Sequence, residues 1–445
     1  MLMKLRSLLI LLLFFTGVYA LNVSKVIYYW NLQSPPEGLN KSITILKDLQ
    51  PQMIWYSYWI TGFPIPPDSR KAYSIALSCG LSETKAKEFS KWVEMNHYTL
   101  QDLKKQVNVA KSLNIIYCPA ILGYTNFRID FNYDPCTFKC LSKNEIKSML
   151  LNFGKWGIIN PKTRKPYTLE ETQELFYERG LPRHNGVFDL SSTEFKKYMH
   201  DKFLVLKKVG INTVWLDLYF QLPLNLARGF GFNSKMVKDL YNGACDIVDD
   251  AKGLGFTVGT WYQALEFPYS RVPNLDFVTA SPSTEEVESI NIDYSRWDKI
   301  ASIVKSKCPR CELIIIFDFA NRDNPPLPVF SQKLTPEQQS EFLVKLHNLA
   351  DYIEKKYGIK TAVAYPVHGP GLGRNPTKLA WGKYDIYDAL APEFDTYFTI
   401  KSLMINKNKS NTTKTMYGSR YYIITIILVV VMILLIFIYI HSKLK

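Results

Sequence analysis

The sequence predicts an α/β protein built as a (β/α)8 TIM barrel, with an insertion after the third strand and a single transmembrane helix near the C-terminus. Three observations carry this. Eight short apolar runs, rich in β-branched and aromatic residues, recur along residues 21–400. Most are apolar on both faces, as strands of a parallel sheet covered by helices must be. Amphipathic helical patterns separate the runs, and that alternation selects the barrel. An open doubly wound sheet shares the alternation, but no glycine-rich phosphate loop follows the first run.

The two ends of the chain read differently from its middle. Residues 1–20 carry Lys4 and Arg6, an apolar stretch, and then Val18, Tyr19 and Ala20. That is the order of a secretory signal peptide. Residues 421–440 are apolar and free of charge, long enough at about 1.5 Å per residue to cross the hydrocarbon core. Tyr421 and Tyr422 mark one interface, and residues 441–445, with two lysines, read as a cytosolic tail. Residues 401–420 form a polar stalk with glycosylation acceptors at Asn408 and Asn411. The expected arrangement is an extracellular N-terminal domain, residues 21–400, held at the cell membrane by one span.

Net charge supports this division. The formal excess is +14, from 54 basic and 40 acidic residues. Nine of the basic residues and none of the acids lie in residues 1–20 and 401–445, which leaves 45 against 40 in the folded part. So small an excess argues against a nucleic-acid partner. Seven cysteines in an exported chain imply disulfides. Cys136 with Cys140 and Cys308 with Cys311 are the local pairs. A zinc site from the same four is the alternative, disfavoured by their separation in sequence and by an oxidising compartment, so no metal is expected.

In chain order, the runs are residues 26–32, 52–60, 114–122, 211–220, 256–265, 275–280, 313–320 and 360–367. Two helices are expected within 82–113, and one over 234–253 that ends at a glycine. Another opens at Thr335-Pro336 and runs to Tyr357-Gly358, with proline in the first helical position. The clearest helix begins at a capping box of Ser191 and Glu194. Its apolar face is Phe195, Met199, Phe203, Leu206 and Val209, and Gly210 closes it. Residues 124–184 are too long for an ordinary loop and read as an inserted lid or subdomain after the third strand.

The fourth run, GINTVWLDLYF, is broken by one acid, Asp217. Strand alternation places Thr213, Trp215, Asp217 and Tyr219 on one face. A carboxylate there must be solvated by a cleft, paired, or used. On a barrel the strand ends converge on one mouth. Trp261, Tyr262, Gln263 and Glu266 follow the fifth run; Ser281, Glu285 and Glu286 follow the sixth; Asp318 ends the seventh; His368 follows the eighth; and Asp189 precedes the third helix. Paired carboxylates with many aromatics suit glycoside hydrolysis, in which one acid protonates the leaving oxygen while a carboxylate attacks or activates water. Trp30, Trp55, Trp59, Trp261 and Tyr262 are candidate stacking surfaces for sugar rings, although tryptophans on strands more often fill a core. Other chemistries lack their residues: there is no GxSxG elbow, no P-loop or dinucleotide fingerprint, and of six histidines four fall on helices or in the tail. No cofactor is expected.

Residues 185–220, NGVFDLSSTEFKKYMHDKFLVLKKVGINTVWLDLYF, resemble the third-helix to fourth-strand unit of TIM-barrel glycoside hydrolases of the α-amylase and α-galactosidase type. In that group a D-L-S/T helix start leads to a glycine and then to a strand ending hydrophobic–aromatic–hydrophobic–Asp. The resemblance implies Asp217 as catalytic nucleophile, and the insertion is similar to the amylases' extra subdomain. The expectation is therefore a membrane-anchored extracellular hydrolase of oligo- or polysaccharide, retaining in mechanism. Glu266 is the first choice of acid/base, ahead of Asp318 and Glu285. The alternative is a non-catalytic carbohydrate-binding surface protein on the same scaffold.

Overall fold

The computed structural model describes residues 21, 23–29, 38–56, 100–122, 189–217, 219–220, 233–316, 336–367 and 401–404, with short stretches between 73 and 87 and between 133 and 165. Eight strands form a closed barrel: β1 (Lys25–Tyr29), β2 (Met53–Tyr56), β3 (Ile116–Leu122), β4 (Thr213–Asp217), β5 (Thr257–Trp261), β6 (Phe277–Ala280), β7 (Glu312–Ile316) and β8 (Thr361–Val367). Each pairs in parallel with its sequence neighbour, and β8 closes on β1. Each of the eight expected runs overlaps one of these strands. Among the described residues the helices include α1 (Gly38–Leu49), α2 (Leu100–Ser112), α3 (Thr193–Lys208), α4 (Ser234–Gly253), α5 (Thr284–Ser289), α6 (Tyr294–Lys307) and α7 (Pro336–Tyr357).

Strand parity divides the core in two. Inward positions, among them Val26, Met53, Trp55, Cys118, Trp215 and Phe277, fill the barrel. Outward positions such as Ile27, Ile54, Val214, Leu216, Val258 and Ile315 pack under the helices. The α3 helix shows how sequence sets the second layer. Phe195, Met199, Phe203 and Leu206 recur at helical spacing and are all buried, each side chain contributing about 1.5–3 kcal/mol over an exposed position. Gly210, at φ +87°, turns the chain from α3 toward β4.

Two local expectations are corrected. The N-cap of α3 is Ser192, whose Oγ accepts from the Phe195 N–H, not Ser191. Ser191 is held one step earlier, with its N–H and hydroxyl both donating to Asp189 Oδ1. The fifth run stops as a strand at Trp261 and tightens into a 3-10 turn, Tyr262–Leu265.

Of the insertion, the described parts are a two-stranded antiparallel ribbon, Tyr133–Asp134 with Lys139–Cys140, and a turn in which Asn160 Oδ1 accepts from the N–H of Lys162 and of Thr163. Cys136 and the Cys140 side chain lie outside the described residues. Cys308 and Cys311 are disulfide-bonded, with Cα atoms 5.3 Å apart, just before β7. Cys118 and Cys245 are buried free thiols. Residues 1–20 and 421–440 lie outside the described residues. Among those described, no helix is long and apolar enough to cross a membrane.

One acid organises the exit from β6. Glu286 opens α5 and is only 3% exposed. Its Oε2 accepts from Ser283 N at 2.7 Å and Arg296 Nη1 at 2.8 Å. Its Oε1 accepts from Asp293 N at 2.9 Å and Trp297 Nε1 at 2.8 Å. With the Ser283 Oγ accepting from Glu286 N, this completes a capping box and staples α5 to α6. Arg296 also donates to the Ser281 carbonyl at 2.8 Å, fixing the residue that follows β6.

At the other end of the barrel, Lys25 opens β1 at 2% exposure, with no ion-pair partner among the described residues. Burial pushes its amine down from 10.5 to about 8.

Two outcomes are expected. Glu286→Gln turns an acceptor of four donors into a group that must also donate, and leaves Arg296 without its anion. Denaturant unfolding should show a loss of about 3 kcal/mol. For Lys25 the folded amine sits below its unfolded value, so the folded state binds fewer protons between about pH 8 and 10.5. Stability from this group therefore rises across that window, and its penalty is complete below it. Lys25→Met should stabilise the protein at pH 7 by about 1–3 kcal/mol and flatten the rise; an unchanged pH–stability curve would count against the buried amine.

Candidate active site

The mouth of the barrel lies at the C-terminal ends of its strands, where βα connections begin. Asp217 is the last residue of β4, on the inward parity of Thr213 and Trp215, and it is half-buried. Trp261 is the last residue of β5. The two strands are in register at Leu216 and Thr260, and Thr260 Oγ1 donates to the Leu216 carbonyl at 2.6 Å. That brings the two terminal side chains together: Trp261 Nε1 donates to Asp217 Oδ1 at 2.5 Å.

Beneath this pair the barrel is filled by aromatic rings. Trp261 lies 5.4 Å from Trp215 between centroids, tilted by 56°. Trp215 meets Trp55 edge-on at 4.3 Å, and Trp55 meets Phe277 edge-on at 6.1 Å. Trp55, expected as a stacking surface, is a correction: inward parity and its neighbours enclose it completely. Trp215 is 3% exposed, and its Nε1 has no hydrogen-bond partner among the described residues.

Tyr219 is a second correction. Strand alternation assigned it to the Asp217 face, but β4 ends at Asp217 and the chain turns. Tyr219 is buried in the layer between barrel and helices, its hydroxyl donating to Met199 Sδ at 3.2 Å. Burial, and then the negative charge of Asp217, hold its phenol protonated well above the ordinary tyrosine range. It contributes to the wall behind the site and not to the cleft.

The residues after β5 divide by exposure. Tyr262 is half-buried; burial first, then the charge of Glu266, push its phenol up, with Arg296 opposing. This places Glu266 and Arg296 within electrostatic reach of one ring. Glu266 is exposed at the end of the 3-10 turn, its N–H donating to Gln263 O. Gln263 is half-buried, and its Oε1 has no partner among the described residues.

Two more expected carboxylates have local work. Glu285 is exposed in the first turn of α5, its carboxyl held below the usual range by hydrogen bonds from its own backbone and from Ser283. Asp189 accepts from Ser191 and shapes the approach to α3. Trp30, Trp59, Asp318 and His368 lie outside the described residues.

Sequence reasoning undervalued Glu286, which it named only with Ser281 and Glu285 as a residue following the sixth run. The signal was present: Ser283 three residues before Glu286 is the capping-box spacing. It also read Trp261 only as a stacking ring, since no local pattern reveals that two strand ends 44 residues apart meet in a hydrogen bond.

No family model and no curated protein sequence matches this chain. Among solved structures it is similar to the glycoside hydrolase domain of PelA from Pseudomonas aeruginosa, with TM-score 0.39 and 13% identity over 79% of this chain and 96% of that one. It is also similar to CldA, a cyclomaltodextrin glucanotransferase, with TM-score 0.46 and 12% identity over 87% of this chain and 80% of that one. The maltogenic α-amylase AmyB from Thermotoga neapolitana gives TM-score 0.43 and 14% identity over 87% and 77%. At these values the likenesses add no argument to the barrel topology.

Proposed function

We propose that this chain is a glycoside hydrolase of oligo- or polysaccharide, acting outside the cell from a single membrane span. The observation that carries the reading is Asp217: a carboxylate on the final residue of the fourth barrel strand, at the mouth, with its orientation set by an N–H from the next strand. Loss of solvation at such a position is offset only by pairing or by use. The location and anchor rest on the leader-like residues 1–20 and the apolar residues 421–440.

In the mechanism we infer, Asp217 attacks the anomeric carbon. The glycosidic C–O bond breaks as the Asp217 ester forms, and the departing oxygen takes a proton from Glu266. Glu266, now a carboxylate, removes a proton from water; that water displaces Asp217, the sugar leaves, and both carboxyl groups return to their starting states. Glu266 is the first choice because it follows the adjacent strand and is open to solvent. Asp318 and Glu285 are the reserves. This double displacement retains configuration and requires carboxyl groups about 5–5.5 Å apart once substrate is bound.

Turnover of a panel of oligosaccharides and aryl glycosides by the full chain tests the reading. Asp217→Asn should cut kcat by at least about 1000-fold and leave sugar binding within a few-fold. Glu266→Gln should slow substrates with poor leaving groups far more than activated aryl glycosides. Near-normal hydrolysis by Asp217→Asn would refute the assignment. Binding without turnover by the parent chain would instead identify a carbohydrate-binding protein.

A further inference from the structure

We propose that Trp261 is a positioning residue for Asp217 and not a stacking platform for a sugar ring. The proposal rests on the reading of Asp217 as the nucleophile and adds a group that helps aim it. Donor and acceptor are the terminal residues of adjacent parallel strands. Their separation is therefore set by barrel register and by the Thr260–Leu216 bond below them, not by a loop. The indole N–H donates to an oxygen of the carboxyl group, a charge-assisted hydrogen bond when Asp217 is ionised.

The indole is held in turn. One of its contacts is Trp215 at 5.4 Å, which is wedged against Trp55 at 4.3 Å in the barrel interior. The indole thus rests on a ring that belongs to the packed barrel interior, which supports the donor from below.

Tryptophan also suits the task chemically. Its N–H only donates and has no acceptor site, so it orients a carboxylate without competing for the carboxyl proton. The same donor steadies Asp217 as nucleophile in the first step and as leaving carboxylate in the second. A ring whose N–H edge is committed to the carboxylate and whose body rests on Trp215 has little freedom to follow a sugar.

Full-length protein labelled with 15N at its nine indoles gives a readout independent of turnover. One indole N–H resonance should lie downfield, vanish in Trp261→Phe, move upfield in Asp217→Asn, and titrate with pH at the midpoint of the acid limb of kcat/KM. Trp261→Phe keeps a smaller ring against Trp215 and removes the donor. It should lower kcat about 10- to 100-fold and change KM little. The acid limb should move to higher pH, because a carboxylate that loses a donor is easier to protonate. A Trp261→Phe enzyme with raised KM, unchanged kcat and an unmoved acid limb would overturn the proposal in favour of stacking. A parent chain inactive on every glycan, whose indole still titrates with Asp217, would sink the hydrolase reading and reduce the bond to a structural one.

Discussion

Closing eight strands into a barrel leaves an interior that only alternate side chains can fill, and here large rings fill it. Trp55, Trp215 and Phe277 converge from three strands. Their combined size demands an absence elsewhere, and β5 supplies it with Gly259. A Cβ at that position would lie 2.0 Å from the Phe277 ring, closer than atoms approach, so the glycine and the phenylalanine are one packing decision. The ring layer it permits lies beneath the mouth, where Trp261 rests on Trp215. Strand register then sets Trp261 beside Asp217.

Helix packing shows the same close fit on the outside of the barrel. Gly243 in α4 lets that helix lie against the Leu190 carbonyl, 2.1 Å from where a Cβ would stand. Polar contacts then lock the layers. Arg271 bridges Asp246 and Asp249 on α4, while Lys196 from α3 reaches Asp246 at 3.0 Å. Asp276 accepts from Lys252 and from the Val258 N–H, tying β6 to α4 and β5. Asp298 gathers the hydroxyls of Tyr352 and Tyr357 with Lys356, joining α6 to α7. These acids are occupied by the scaffold. Asp217, held by Trp261, differs in its place at a strand end on the mouth, and that place carries the chemical reading.

The strands were legible because burial on both faces leaves a composition that helices interrupt at regular intervals. The α3 face from Phe195 to Leu206 and the exact span of α4 were legible for the same reason, since periodicity is a local property. What failed was also local logic, carried one step too far. Alternation holds only while the chain is a strand, and Tyr219 lies two residues past the end of one. Trp55 shows a second limit: its place on a strand did not tell how deep it lies, and depth separates filler from cleft wall. The bond from Trp261 to Asp217 depends on register between strands, which no single segment encodes.

The closure of β8 on β1 has a consequence for how the chain reaches this state. Lys25 pairs in register with Val363, and the bridge from Lys401 to Asp48 joins residues 353 apart in sequence. Contacts of that span come late, because the intervening loop must lose its freedom before they return anything. During synthesis the first strand therefore emerges long before the strand that completes its pairing, and waits with one edge open. Such a delay keeps the barrel unfinished through most of synthesis, and maturation becomes a matter of the last hundred residues to arrive.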